Sequence, residues 1–254
     1  SGAQLPQKTQ ENGNDIRIFL PKYGTINERR HQLHEVIRLS GMNLIIDDFD
    51  HQLIIKVASI QAARMQIYFI DNEEYFPRRI MFHDHEGQFL ENNEERMIFY
   101  CKGVIETVKK LGWSPEIIHC QGWFSALIPL YIKKVYNEDP LFKDTKVIFN
   151  IFNDKFKGKL SNTIIDKLLF ERRLEKEDLN LLQNPNYNNL SKFAINYSDA
   201  VIQGSKNINQ EILKHVETLE LPFMTYPGDE EYEPTYNKFF DSLVEEEELE
   251  LSEK

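Results

Sequence analysis

Hydrophobic and polar positions along the chain fall into blocks whose period switches between that of helices and that of strands. Ser1 to Asn12 reads as mostly helical and is ended by Gly13, and Asp15-Ile-Arg-Ile-Phe-Leu20 is then a strand closed by Pro21. Arg29 to Ser40 is polar and irregular. Gln52 to Ser59 and Met65 to Ile70 read as paired strands, joined by a turn at Gln61-Ala62-Ala63. Asn92 and Asn93 offer N-caps to a helix whose first turn carries Glu94 and Glu95, matched to the helix dipole. Met97, Cys101, Val104, Val108 and Leu111 recur at spacings of three and four, which predicts a buried stripe ended by Gly112.

The second half continues the alternation. A strand from Glu116 runs into a short polar turn and then an apolar helical run ending near Tyr136. Lys146 to Ile151 is a further strand. Ser161 to Asn189 reads as a polar helix broken near Pro185, and Phe193 to Tyr197 leads into a last strand, Asp199-Ala-Val-Ile-Gln203. Asn207 is expected to cap a helix to about Leu219. Residues 245–254 form an acidic tail, read as a solvated face or frayed helix beyond a single domain of residues 1–244. Alternating strands and helices with no repeat predict an α/β domain.

Composition narrows the function classes. A chain of 254 residues, 41% hydrophobic, is long enough for a substantial core. A net charge of -11 disfavours nucleic acid as a partner, since phosphate neutralisation needs a basic surface. Two cysteines, Cys101 and Cys120, are too few for a disulfide framework and fit a reducing, cytoplasmic setting. No apolar run approaches the ~20 residues that cross a bilayer, so no membrane association is expected. His83-Asp84-His85 lacks a third ligand at characteristic spacing and reads as a turn with Gly87, so no metal is expected.

Candidate chemistry gathers at Glu116-Ile-Ile-His-Cys-Gln-Gly-Trp123, since α/β enzymes present residues where a strand gives way to a turn and helix. His119, Gln121 and Trp123 are residue types that contact sugars or anions. Three candidates also have a plain packing explanation: His119 as a satisfied core histidine, Trp123 as a packed ring, Arg96 as a partner within its own helix. Cys120 reads as a buried thiol before a nucleophile.

Four segments then occur in a telling order: Ile16-Arg-Ile-Phe-Leu-Pro-Lys-Tyr-Gly24, Asn92-Asn-Glu-Glu-Arg96, Ile117-Ile-His-Cys-Gln-Gly-Trp123 and Ile195-Asn-Tyr-Ser-Asp-Ala-Val201. Together they resemble the N-terminal half of bacterial glycogen/starch synthases, and nearly the whole chain takes part. Within that family the chain resembles a short Bacteroides-type form. The resemblance implies a Rossmann-like three-layer α/β/α domain with a mostly parallel sheet, one half of a GT-B glycosyltransferase. It implies glucosyl transfer from ADP-glucose to α-1,4-glucan, with the acceptor on this half, the donor on the other and no resident cofactor.

Carried over by position, the resemblance assigns glucan contact to Lys22, Tyr23, Asn93, Arg96, His119, Gln121, Trp123 and Asn153. It also exposes departures. The lysine-glycine-glycine loop would lie just before Leu5-Pro6 and is expected to be absent with the first strand. An Asp-Asn pair falls on Asn92 and Asn93; a His-x-His-Asp-Trp-His turn falls on residues 119–124, ending in Phe124; a Thr-x-His-Asn segment puts Phe152 at its histidine. Phenylalanine cannot hydrogen-bond a sugar, and losing one transition-state donor costs ~10²–10³ in rate. The expectation is therefore a glucan-binding or accessory half that does not catalyse alone. Two alternatives stand beside it: completion in trans by a donor-binding protein, and a scaffold that binds neither sugar nor nucleotide. Exposed aromatics among amides would mark a glucan groove, whereas Phe124 and Phe152 facing solvent would mark a protein contact.

Overall fold

The computed structural model describes residues 4–61, 64–77, 79–228 and 232–252. In chain order the elements are α1 (Gln4–Glu11), β1 (Ile18–Pro21), β2 (His34–Glu35), β3 (Met42–Ile46), β4 (Phe49–Ile60), β5 (Met65–Asp71) and α2 (Asn93–Leu111). After them come β6 (Ile117–Gln121), α3 (Ile128–Leu130), β7 (Lys146–Ile151), α4 (Ile164–Leu168) and α5 (Tyr187–Asn196). The chain closes with β8 (Ala200–Gln203), α6 (Gln210–Glu217), β9 (Phe223–Met224) and α7 (Tyr232–Ser252). Ser1 to Ala3, Ala62, Ala63 and residues 253–254, parts of the expected first helix, turn and tail, lie outside the described residues. The rest of the tail continues α7 as helix.

Two compact units make up the chain. The first combines residues up to Asn14, Ser114–Lys157 and the chain from Tyr187 onward; the second combines Asp15–Trp113 and Gly158–Asn186.

The first unit is built on a parallel sheet in the order β6-β7-β8-β9. Its central strand β7 is buried from Val147 to Ile151, a near-continuous apolar run suited to a strand covered on both faces. On one face Leu5 of α1 and Tyr236 and Leu243 of α7 pack on Ile148, Ala200, Ile202 and Met224; α3 and α5 pack against β7 from the other elements of the unit. At ~1.5–3 kcal/mol per fully buried large apolar side chain, this layer drives the unit's assembly. Thr9 of α1 donates its hydroxyl to Asn237 of α7 at 2.8 Å, so the two helices are also joined by a buried polar contact.

The second unit carries a mixed sheet, β1-β5-β4-β2, with β3 added to β4. Only β1 and β5 run parallel; β4 is antiparallel to β5, β2 and β3. The mostly parallel arrangement therefore holds for the first unit, while here the hairpin between Ile60 and Met65 is too short for a crossover and forces antiparallel pairing. Helix α2 lies close on this sheet at Gly103, where a Cβ would meet Ile70 Cγ2 at 2.8 Å and Leu53 Cδ1 at 3.1 Å.

Several boundaries differ from the sequence expectation for identifiable reasons. Pro21 closes β1 from within, its missing N–H costing no ladder bond at the sheet edge. Asn92 precedes α2 without a side-chain cap bond, and Asn93 lies inside the helix. The expected stripe of α2 is real at Met97, Cys101, Val104 and Val108, but the helix buries Ile98, Phe99, Tyr100 and Ile105 as well. The apolar run after β6 is not one helix: a 3₁₀ turn at Trp123–Ser125, the short α3 and a π-type turn at Tyr131–Val135 share it. Pro129 removes a helical donor there, and burial on every side removes any polar face to fix the period.

Residues 161–189 likewise divide into α4, a 3₁₀ segment at Lys176–Gln183 and the start of α5. The restart is fixed by a capping box between Glu175 and Asp178. The cap of α6 is Asn209 rather than Asn207; its side chain accepts the Glu211 N–H at 2.8 Å. The two-residue β2 and β9, too short to show a period, and the five-residue β3 are additions to the expected strands. Cys101 and Cys120 are buried thiols that form no disulfide.

Candidate functional site

In the first unit the strand ends of β6 and β7 converge on one turn. Gly122 leaves β6 with φ 78° and ψ 172°, a conformation essentially reserved for glycine. It turns the chain so that Trp123 and Phe124 fold inward, 4% and 6% exposed, stacked edge to face on each other with Phe156 against Trp123. Trp123 is thus a packing residue, and Phe124 offers nothing to solvent. Asp154, from the loop after β7, reaches the same turn. Its Oδ2 accepts the Trp123 N–H at 3.1 Å and Oδ1 faces the Tyr187 hydroxyl at 3.0 Å. That hydroxyl also lies 2.5 Å from the Phe152 carbonyl oxygen. Asp154 as a residue is exposed, yet its carboxyl points inward, and the desolvation this imposes raises its pKa against the opposing bond from the Trp123 N–H.

Beside this turn opens a cleft of about 230 Å³ lined by Phe152, Asn153, Lys155, Tyr187, Asn207 and Asn209, with Asn188 and Ile208 completing the wall. Phe152 is half-buried and forms apolar wall rather than protruding. Asn188 donates to Glu211 and Asn209 caps α6, so both are held in place. Among the described residues the side-chain amides of Asn153 and Asn207 and the Lys155 ammonium meet no protein partner. An apolar ring among uncommitted amides is a polyol-binding chemistry: planar amides pair with vicinal hydroxyls while the ring takes the C–H face.

His119 stands on β6 within the same unit, enclosed by the rings of Tyr236 and Phe240. Side-chain amides of Asn150 and Gln121 lie 3.2 and 3.3 Å from its two ring nitrogens, and Asn150 Nδ2 donates to the Tyr236 hydroxyl at 2.8 Å. Desolvation pushes its pKa down to about 4, so the ring is neutral near pH 7. Asn150 Oδ1 is buried without a partner among the described residues, and a Cβ at Gly204 would fall 2.1 Å from it, so only glycine fits there. Gln121 is exposed at the strand end.

The remaining sequence candidates belong to the second unit. Lys22 is buried and ion-paired to Glu28 at 2.9 Å; Glu28 is shared with Lys56, which also pairs with Asp71 at 2.8 Å. Tyr23 is half-buried with its ring edge-on to Phe76 and Phe82. Arg96 is 1% exposed and, unlike the expected helix-surface ion pair, donates Nε to the Tyr75 carbonyl and Nη1 to Asn93 Oδ1, both at 2.6 Å. Burial lowers its pKa to about 10. Asn93 in turn donates to the Phe82 carbonyl, and Asn92 is exposed. Next to them Lys167 of α4 bridges Glu94 and Glu95, each at 2.6 Å; burial opposes its charge but the two carboxylates outweigh it and raise its pKa.

His83-Asp84-His85 is the expected turn: Asp84 Oδ1 accepts the Glu86 and Gln88 N–H groups, and His83 bridges to Phe89. No metal-ligating cluster occurs among the described residues. Nor is any helix there long and apolar enough to cross a membrane.

Sequence reasoning missed Asp154, Lys155, Tyr187, Asn188, Asn207 and Asn209 as site residues. A signal was present: Lys155 and Asp154 follow a strand end, and Asn207 and Asn209 follow another, in the position where parallel sheets place ligand-contacting loops.

A parallel α/β/α unit with its polar residues at the carboxyl ends of β6, β7 and β8 defines a Rossmann-like domain. Its fold is shared with a known structure: the catalytic domain of starch synthase IV from Arabidopsis thaliana, bound to ADP and acarbose, superposes with a TM-score of 0.69. The match covers 89% of this chain and 46% of that one at 19% identity. The family model for the starch synthase catalytic domain matches residues 2–221. The chain belongs to this family. Glycogen synthase from Chlorobium limicola is 42% identical over 170 residues, 66% of this chain and 35% of that protein. Glycogen synthase from Chlorobaculum parvum is 33% identical over 218 residues, 85% of this chain and 44% of that protein. The chain thus spans about a third to under half of the length of these relatives.

Proposed function

We propose that the chain supplies the acceptor side of an ADP-glucose-dependent glucosyl transfer. The cleft beside β7 binds α-1,4-glucan, and transfer itself requires a donor-binding half outside these 254 residues. The observation that carries this reading is the cleft's lining: the Phe152 ring among the uncommitted Asn153 and Asn207 amides and the Lys155 ammonium. The glycogen synthase relatives support the choice of glucan over other polyols. Phe124, turned into the core, supports a sugar site over a protein-docking one.

Catalysis by the chain alone is not part of the reading. Retaining transfer needs preorganised donors around the departing diphosphate and a site closed to water. Phe124 and Phe152 supply no hydrogen bond, and the two cationic candidates of the second unit are already engaged: Lys22 with Glu28, Arg96 with a carbonyl and an amide. A reducing, cytoplasmic setting belongs to the same reading and is supported by two buried cysteines that form no disulfide. The test is native electrophoresis through gels containing glycogen, together with a glucosyl-transfer assay. The chain should be retarded by glycogen, N153A/N207A should run freely, and neither should transfer glucose unaided. Unretarded migration of the parent chain refutes the acceptor reading; turnover by the chain alone refutes the need for a donor half.

A further inference from the structure

The Gly122 turn and the loop after β7 interlock in a way that neither explains alone. A Cβ at position 122 would sit 2.4 Å from Asp154 Oδ2, so the carboxyl of Asp154 fills the space that a side chain at 122 would take. The backbone at 122 admits glycine only, so that space can be filled only from elsewhere in the fold. Asp154 fills it and, by accepting the Trp123 N–H, ties the turn to the lip of the cleft.

Counting protons settles how it is tied. Tyr187 has one hydroxyl hydrogen but faces two acceptors: the Phe152 carbonyl oxygen at 2.5 Å and Asp154 Oδ1 at 3.0 Å. Given to the nearer oxygen, that hydrogen leaves Tyr187 Oη and Asp154 Oδ1 lone pair to lone pair. Given to Asp154, it leaves two lone pairs 2.5 Å apart, a worse contact. A proton on Asp154 Oδ1 resolves both: Asp154 donates to Tyr187, Tyr187 donates to Phe152, and Oδ2 still accepts from Trp123. We propose that Asp154 is a positioning residue of the cleft that works as a protonated carboxyl, locking the Trp123 turn and the Tyr187 ring that lines the cleft. Tyr187 is the titratable side chain within bonding reach of it, on α5; the other contacts are backbone groups. Desolvation of the inward carboxyl acts in the same direction.

The glucan part of this inference rests on the acceptor reading above; the protonated carboxyl does not. The chain has two tryptophans, so a W113F background leaves Trp123 as the reporter of its own turn. In that background D154N, D154A and Y187F are compared by Trp emission and by calorimetric titration with maltoheptaose, with far-ultraviolet circular dichroism to establish folding. An asparagine reproduces the neutral pattern, its NH₂ donating to Tyr187 and its oxygen accepting from Trp123. D154N should keep the parent emission maximum, while D154A shifts it to the red. D154N should also bind maltoheptaose about tenfold tighter than D154A, the ratio set by roughly one well-formed hydrogen bond. Y187F should fall between them. D154N behaving like D154A would overturn the protonated carboxyl, and D154A behaving like the parent would overturn the positioning role. If the parent itself binds no maltoheptaose, the acceptor reading fails, and the order of emission maxima still decides the role of Asp154.

Discussion

Two polar clusters in this chain carry residues assigned by the same resemblance, and they have different fates. At the start of α2, Asn93, Glu94, Glu95 and Arg96 are spent on one another and on Lys167, Tyr75 and Phe82; every charged group there is buried or bridged inside its own unit. At the ends of β7 and β8, Asn153, Lys155 and Asn207 keep their polar atoms uncommitted around Phe152. Burial decides the difference. A charge taken out of water must be paired to be tolerated, so the α2 cluster holds the second unit together. Solvated amides owe the fold nothing and are available to a ligand.

Substitutions should separate the two clusters, the largest effect coming first. Lys167, 8% exposed in its side chain, meets the 2%-exposed Glu94 carboxylate at 2.6 Å. K167A leaves buried carboxylates unpaired and should cost about 3–5 kcal/mol in urea unfolding, with no change in glucan affinity of the folded chain. A loss below about 1 kcal/mol would mean that the cluster is solvated after all.

His119 gives the next effect, through pH. Its folded pKa is about 4, against an unfolded value near 6.5, so the unfolded chain takes up a proton that the folded chain refuses. Stability should fall as pH drops from about 6.5 toward about 4, by at most ~1.4 kcal/mol per unit, and level off below. H119Q should flatten that slope; an unchanged slope would assign the acid sensitivity to other groups.

Smaller still is G122A. The left-handed backbone at 122 makes alanine costly by about 1–3 kcal/mol, and its methyl would also push Asp154 aside. Both stability and glucan binding should therefore drop, which neither K167A nor N153A does. N153A closes the series: stability within about 0.5 kcal/mol of the parent, as for an exposed residue, and maltoheptaose binding weakened about fivefold.

Sequence alone made β4 paired with β5, the buried stripe of α2, its Gly112 stop, and strands β6, β7 and β8 legible, because each has a period or punctuation long enough to read. Trp123–Val135 is the expected helical run, but its division into 3₁₀, α and π turns is not legible, because a segment buried nearly all round has no polar face from which to take a period. The site was half legible. His119, Gln121, Trp123 and Asn153 came from one strand end and one motif, and lie in one unit. Lys22, Tyr23, Asn93 and Arg96 share chemistry with them but lie in the other unit, where their partners are Glu28, Phe76, Phe82 and Tyr75. Asp154 and Tyr187, 33 residues apart, meet only through tertiary packing and leave no mark at any sequence spacing.

The central claim is that the uncommitted amides beside Phe152 receive glucan. Isothermal titration of the chain with maltoheptaose, then with ADP-glucose, tests it most directly, with N153A/N207A alongside. Heat is expected with maltoheptaose, little or none from N153A/N207A, and none with ADP-glucose. Maltoheptaose heat that is absent from the parent chain, or undiminished in N153A/N207A, would contradict it.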